Sequence, residues 1–152
     1  MNEEKRPGGL TALAVLNLVF AGWGFLSLLA FGAFLALRDR IPTDNMDDTQ
    51  RAQMEALQEM SLSAFGIIIA LSVVANVLLL VAGIGYLKQK RILGRMVGNG
   101  YAIVSIISSV VSARMFTAEM GGGVNIATLI GLIYPVVTLI LLNTTFRDDL
   151  TN

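Results

Sequence analysis

The stretch Ser61–Leu87, SLSAFGIIIALSVVANVLLLVAGIGYL, carries no charged residue and is long enough to cross a bilayer as one helix. A hydrocarbon core takes about 20 apolar residues per helix, and a charge at its centre costs about 3 kcal/mol. Working outward, the same reading applies to Leu10–Leu37, Met96–Ala113 and Met120–Phe146, and every Lys, Arg, Asp and Glu falls outside these four runs. The runs are apolar on all faces rather than along one stripe, which sets them apart from surface helices of a soluble domain. The predicted fold is therefore all-α: a four-helix transmembrane bundle forming a single domain over residues 1–152. Its spans are expected at residues 10–37, 61–87, 96–116 and 124–146.

Composition narrows the chemistry. The chain has neither Cys nor His, so disulfides, thiol redox chemistry and thiolate or imidazole metal sites do not arise. The formal net charge is zero and no basic stripe interleaved with aromatics occurs, which argues against nucleic-acid binding. No nucleophile–base pair, phosphate loop or metal-ligand cluster is present. The expectation is a non-enzymatic protein without cofactor or metal.

Lys5 and Arg6 before an apolar run resemble the start of a signal peptide. The run extends from Leu10 to Leu37, well beyond the roughly 7–15 residues of a signal core, so it is read as a retained first span. The second connection holds Lys88, Lys90, Arg91 and Arg95 with no acid, which by the positive-inside rule places it in the cytoplasm. Both termini follow. That assignment puts seven Lys/Arg inside and four outside. The same basic run is expected to contact anionic lipid or a soluble partner.

Outside, Arg38–Met60 is the one sizeable connection. Ile41-Pro42-Thr43-Asp44 reads as a stop followed by an N-cap at Asp44, and residues 44–60 are good helix formers. No Pro or Gly separates them from the second span. One continuous helix from about Asp44 to Leu87, projecting beyond the bilayer, is the prediction; a separate segment along the interface is its competitor.

Polar residues within the spans are few. Asn17 and Asn76 lie deepest, with Asn99 and Asn143 nearer the cytoplasmic ends and Asn125 nearer the outer end. They are expected to form interhelical hydrogen bonds, each worth about 0.6 kcal/mol. On the third span, Gly94, Gly98, Tyr101, Ser105, Ser108 and Ser112 recur at spacings of four and three, one face of a helix. Ala14, Asn17, Ala21, Gly24 and Leu28 make a similar line on the first span. Small residues permit close backbone approach, so these faces are predicted packing surfaces. Tyr86 and Tyr101 flank the basic loop as interfacial tyrosines would, and Tyr134-Pro135 predicts a kink in the fourth helix. Met46, Met54, Met60, Met115 and Met120 gather on the outer side as adaptable packing.

Ala21-Gly22-Trp23-Gly24-Phe25-Leu26 resembles Ala82-Gly83-Ile84-Gly85-Tyr86-Leu87, as an internal repeat of the kind transporters contain would. In a chain this rich in Gly, Ala and Leu, chance is the better explanation. Gly8-Gly9-Leu10 through Leu29, and Ala82–Leu87 running into Lys88–Arg95 and Tyr101-Ala102-Ile103, resemble a broad group of small uncharacterised bacterial four-span membrane proteins. The resemblance implies a bacterial cytoplasmic (inner) membrane and no assigned activity. Two functions compete. One is a structural or accessory subunit packing through its small-residue faces into a homo-oligomer or a larger membrane complex, its partners being lipids, other subunits or itself. The other is a small channel or carrier for a neutral or lipophilic solute, using the Asn residues and the serine line.

Overall fold

A computed structural model describes residues 8–42, 44–59, 61–120 and 126–150. Among these residues it is all-helical. The helices are α1 (Gly8–Leu37), α2 (Asp48–Glu59), α3 (Leu62–Leu87), α4 (Val97–Met120) and α5 (Ile126–Asn143). A 3-10 turn, Arg38–Arg40, ends α1, and a π-helical turn, Arg91–Met96, leads into α4. Three stretches are long and apolar enough to cross a membrane: Gly8–Arg40, Leu62–Leu87 and Arg91–Arg114. A shorter apolar helix covers Gly131–Asn143. The start of the expected fourth span, Asn125, and the side chains of Met60, Met115 and Met120 lie outside the described residues.

The four long helices pack in chain order, α1 on α3, α3 on α4 and α4 on α5. Side chains then close the ring, with Phe20 of α1 edge-on to Tyr134 of α5 at 4.8 Å between centroids. The outward faces of the long helices are mainly apolar: Trp23 is 70% and Leu29 73% exposed, and Ile103, Ile107, Ile133 and Ile140 also face outward. Water would disfavour so continuous an apolar surface, whereas lipid tails match it.

Burial is uneven along the bundle axis. One cluster joins Leu10, Leu13 and Ala14 to Ala82, Tyr86, Leu142, Phe146 and Leu150, and the next holds Ala21, Leu79, Tyr101 and Ala102. Both lie in the half nearer the basic connection. In the other half, Phe65 is the one fully covered side chain of α3. It meets the ring of Phe31 at 5.7 Å.

Three expectations need correction. The helix from Asp44 to Leu87 is broken. Ser61 adopts an extended backbone and its hydroxyl accepts from the Ala64 amide, capping α3 as a new helix. A serine cap interrupts the helix as effectively as Pro or Gly, because its side chain satisfies an amide that a continuous helix would bond to a carbonyl. The α2 cap is Asp47, whose carboxylate accepts from the Gln50 amide at 2.8 Å, not Asp44. The fourth helix stops at Asn143, short of Phe146. The Thr144 hydroxyl donates to the Ile140 carbonyl at 2.7 Å. The chain then turns so that Phe146 and Leu150 fold under the bundle, Phe146 lying against Gly9.

Helix α2 is secured to the spans through Arg38. The Arg38 guanidinium lies 5.4 Å over the Phe65 ring and donates to the Leu57 carbonyl at 3.4 Å. In return the Gln58 amide donates to the Arg38 carbonyl at 2.9 Å. The chain is thereby doubled back, with α2 held beside the end of α1 and also in contact with α4. Replacing Arg38 with Met keeps the apolar stem and removes the guanidinium's contacts with Leu57 and Phe65, while the Gln58 bond to the residue-38 backbone carbonyl remains, so α2 should loosen while α1 and α3 persist. Amide exchange within Asp48–Glu59 is expected to accelerate about tenfold, the loss of about 1.4 kcal/mol of local stability, with exchange in α3 unchanged.

Candidate functional site

The polar side chains inside the bundle converge on one node, to which every long helix contributes. Asn17, fully buried on α1, donates through Nδ2 to the Leu79 carbonyl of α3 at 3.4 Å. Its Oδ1 accepts from the Tyr134 hydroxyl of α5. The Tyr101 ring of α4 lies 6.3 Å from the Tyr134 ring. Tyr86 and Thr138 complete the cluster, both wholly buried. Tyr86 Oη and Thr138 Oγ1 make no hydrogen bond of good geometry, their polar neighbours being the Asn17 amide and the Tyr134 hydroxyl.

Glycines set how closely the helices approach this node. Each of α1 and α3 offers an Asn and, two turns later, a Gly. Antiparallel packing then seats Asn17 against Gly83, where an added methyl would lie 3.1 Å from the Asn17 Cβ. It seats Asn76 against Gly24, where a methyl would overlap the Asn76 amide. The resemblance between Ala21–Leu26 and Ala82–Leu87 aligns Gly22 with Gly83 instead, and nothing lies within 4 Å of Gly22. The local two-fold therefore follows the Asn and Gly pairs rather than that alignment. Gly85 lets the backbone of Leu93 and Gly94 come into contact with α3. Just after α3, Gln89 takes a left-handed conformation (φ 50) and the Lys90 amide reaches back to the Gly85 carbonyl at 3.0 Å.

The residues singled out on the third span are brought together only in part. Gly94 meets Leu150 and Tyr86, and Gly98 sits so close to Tyr86 that a methyl would overlap Tyr86 Oη and lie 2.6 Å from Leu142 Cδ1. Both contacts are within the chain. Tyr101 is buried, while Ser105, Ser108 and Ser112 are half-buried. Of the two deep asparagines, Asn17 bonds between helices. Asn76 does not: its amide donates to the Ser72 carbonyl of its own helix at 2.9 Å, because Gly24 opposite presents no acceptor side chain. Asn99 and Asn143 pair reciprocally across α4 and α5, at 2.9 and 3.3 Å. Arg95 donates to the same Asn143 oxygen at 3.4 Å. Lys88, Lys90 and Arg91 remain exposed at this end.

Tyr86 and Tyr101 are not interfacial, as their position beside the basic loop suggested. At 0% and 6% exposure they are core residues: Gly94 and Gly98 leave room for the Tyr86 ring, which clusters with the folded-back Leu150, and Tyr101 packs with Ala21, Leu79 and Tyr134. Tyr134 and Thr138 were not identified from the sequence as node residues. Their signal was a tyrosine and a threonine one turn apart on an otherwise aliphatic helix.

Asn17→Ala should leave the Tyr134 hydroxyl and Leu79 carbonyl without their partner and destabilise the fold by about 1–3 kcal/mol; thermal unfolding in detergent measures it. Gly98→Ala overpacks the Tyr86 contact and should cost about as much, 1–3 kcal/mol, whereas Gly22→Ala, with open space around it, should be close to neutral. No protein-family model, no curated protein and no solved structure matches this chain.

Proposed function

We propose that this chain is a four-span protein of a bacterial cytoplasmic membrane, with both termini inside, acting as a structural or accessory subunit of a homo-oligomer or larger membrane complex. The observation that carries this reading is where the polar groups inside the spans are directed. Asn17 serves Leu79 and Tyr134, Asn76 serves its own helix, and Asn99 and Asn143 serve each other. Asn17, Asn99 and Asn143 hold helices together, and none of the four amides is directed at a substrate. The fourth span is α5, whose 18 residues extend about 27 Å at 1.5 Å per residue, close to the hydrocarbon thickness.

Assembly would use small residues that the chain's own packing leaves open. Gly66 and Ala70 lie one turn apart and exposed on α3, with nothing within 4 Å of Gly66, and Gly131 of α5 is likewise open. Such pairs admit a partner helix at short range. The half-buried serines of α4 favour the second reading, a small channel or carrier for a neutral solute, which flux into proteoliposomes tests.

Purification in mild detergent or nanodiscs, followed by mass determination, tests the subunit role. A defined complex larger than the 16.3 kDa chain is expected, and a homogeneous monomer overturns it. Gly66→Leu together with Ala70→Leu should dissociate that complex and leave thermal unfolding of the chain unchanged.

A further inference from the structure

We propose that the turn between α3 and α4 holds an anionic phospholipid, with Arg91 and Arg95 on its phosphate and Ile92 and Met96 along its acyl chains. The inference rests on the membrane reading above and is independent of the subunit role.

The first observation is that the charge of this turn is not met within the fold. Lys88, Lys90, Arg91 and Arg95 follow one another without an intervening acid. Leu150 packs on Gly94, so the folded-back segment brings Asp148 and Asp149 to the same end. Neither pairs with the basic run; the ion pair formed among the described residues is Arg38 with Asp39.

The second observation is that the turn is built rather than pliant. The amides of Lys88, Gln89 and Lys90 donate to the carbonyls of Ile84, Tyr86 and Gly85. Gln89 stands at φ 50, where such a helix ending usually places glycine. Gly85 then lets the backbone of Leu93 and Gly94 touch α3, which seats the π-helical turn. Arg95 is half-buried, and its guanidinium donates to Asn143 Oδ1 at 3.4 Å. Asn143 is fixed in turn by Asn99 and by donating to the Leu139 carbonyl at 2.8 Å. A guanidinium carries five N–H donors, so Arg95 keeps several for an acceptor outside the chain. Arg91 lies one turn earlier and is exposed. Two guanidinium forks one turn apart, one of them held in place, suit the oxygens of a phosphate diester.

The third observation separates a lipid from other anions. Ile92 and Met96, also one turn apart, are 66% and 63% exposed. They belong to the first turn of the apolar stretch Arg91–Arg114, at the boundary of a span. There the cations meet headgroups while the neighbouring apolar side chains enter the acyl region. A soluble acidic partner matches the charge but leaves that apolar pair without a role.

Trp23 is the one tryptophan and is 70% exposed on α1, so it reports lipid away from the turn. Ile92→Trp in a Trp23→Phe background moves the reporter to the turn. Each protein is reconstituted in mixed phosphatidylcholine and phosphatidylglycerol bilayers, with one lipid and then the other brominated on its acyl chains. Quenching at position 92 should show phosphatidylglycerol preferred about fivefold, against no preference at Trp23. Arg91→Gln, a change at an exposed position, should reduce the preference about twofold or more, and Arg91→Gln with Arg95→Gln should abolish it. Lys88→Gln with Lys90→Gln removes equal charge and should leave most of it. Equal losses from the two pairs overturn the built site in favour of diffuse attraction. An equal preference at positions 23 and 92 overturns it too, and assigns the basic run to a soluble acidic partner. Absence of quenching at Trp23 by either lipid overturns the membrane reading, and the site with it.

Discussion

The Asn17 amide is the constraint on which the bundle depends. In an apolar medium an unpaired amide is costly, so Asn17 is stable only where a carbonyl and a hydroxyl meet it together. The Leu79 carbonyl and the Tyr134 hydroxyl do so, and each comes from a different helix. Satisfying one side chain therefore fixes the height of α3 and of α5 relative to α1. Aliphatic packing alone would not, since lipid tails contact Leu and Val as well as other helices do. The reciprocal seating of Asn17 on Gly83 and Asn76 on Gly24 holds the same register between α1 and α3.

Below this node the chain is tightly closed and above it loosely. Toward the basic connection, Tyr86, Gly94, Gly98, Leu142 and Leu150 interlock without room for a methyl group at Gly98. The Arg95–Asn143–Asn99 group ties α4 to α5 at that end. Toward the other end, α1 and α3 stay joined by Phe31, Phe65 and Arg38, while Ser105, Ser108 and Ser112 of α4 are half-buried. The two halves thus differ in side-chain burial, and α2 is secured at the less buried end by contacts to Arg38 rather than by helix continuity.

Much of this architecture was legible in the sequence, because bilayer length and the cost of charge act on composition alone. Ser61–Leu87 and Leu10–Leu37 return as α3 and α1 within two residues at each end. What composition could not show was local capping. Ser61 and Asp47 interrupt a run of good helix formers through single side-chain bonds to amides, and propensity does not register such bonds. Nor could the fate of Tyr86 be read from its neighbours. Proximity to Lys88 suggested an interface, but the glycines at 94 and 98 and the returning Leu150 decide its burial, and these lie on other elements. Asn17 was identifiable because depth and polarity coincide in the linear pattern. Tyr134 required the fold.

The bond between Asn17 and Tyr134 joins residues 117 positions apart, which has a consequence for biogenesis. At about 5–20 residues per second, the ribosome delivers α5 many seconds after α1 has entered the bilayer. Through that interval the Asn17 oxygen lacks its final donor, so the first span is held provisionally by α3 and the lipid. The last helix to arrive is the one that commits the first. Substitutions in α5 should thus be felt as faulty retention of α1, at the far end of the chain from the change.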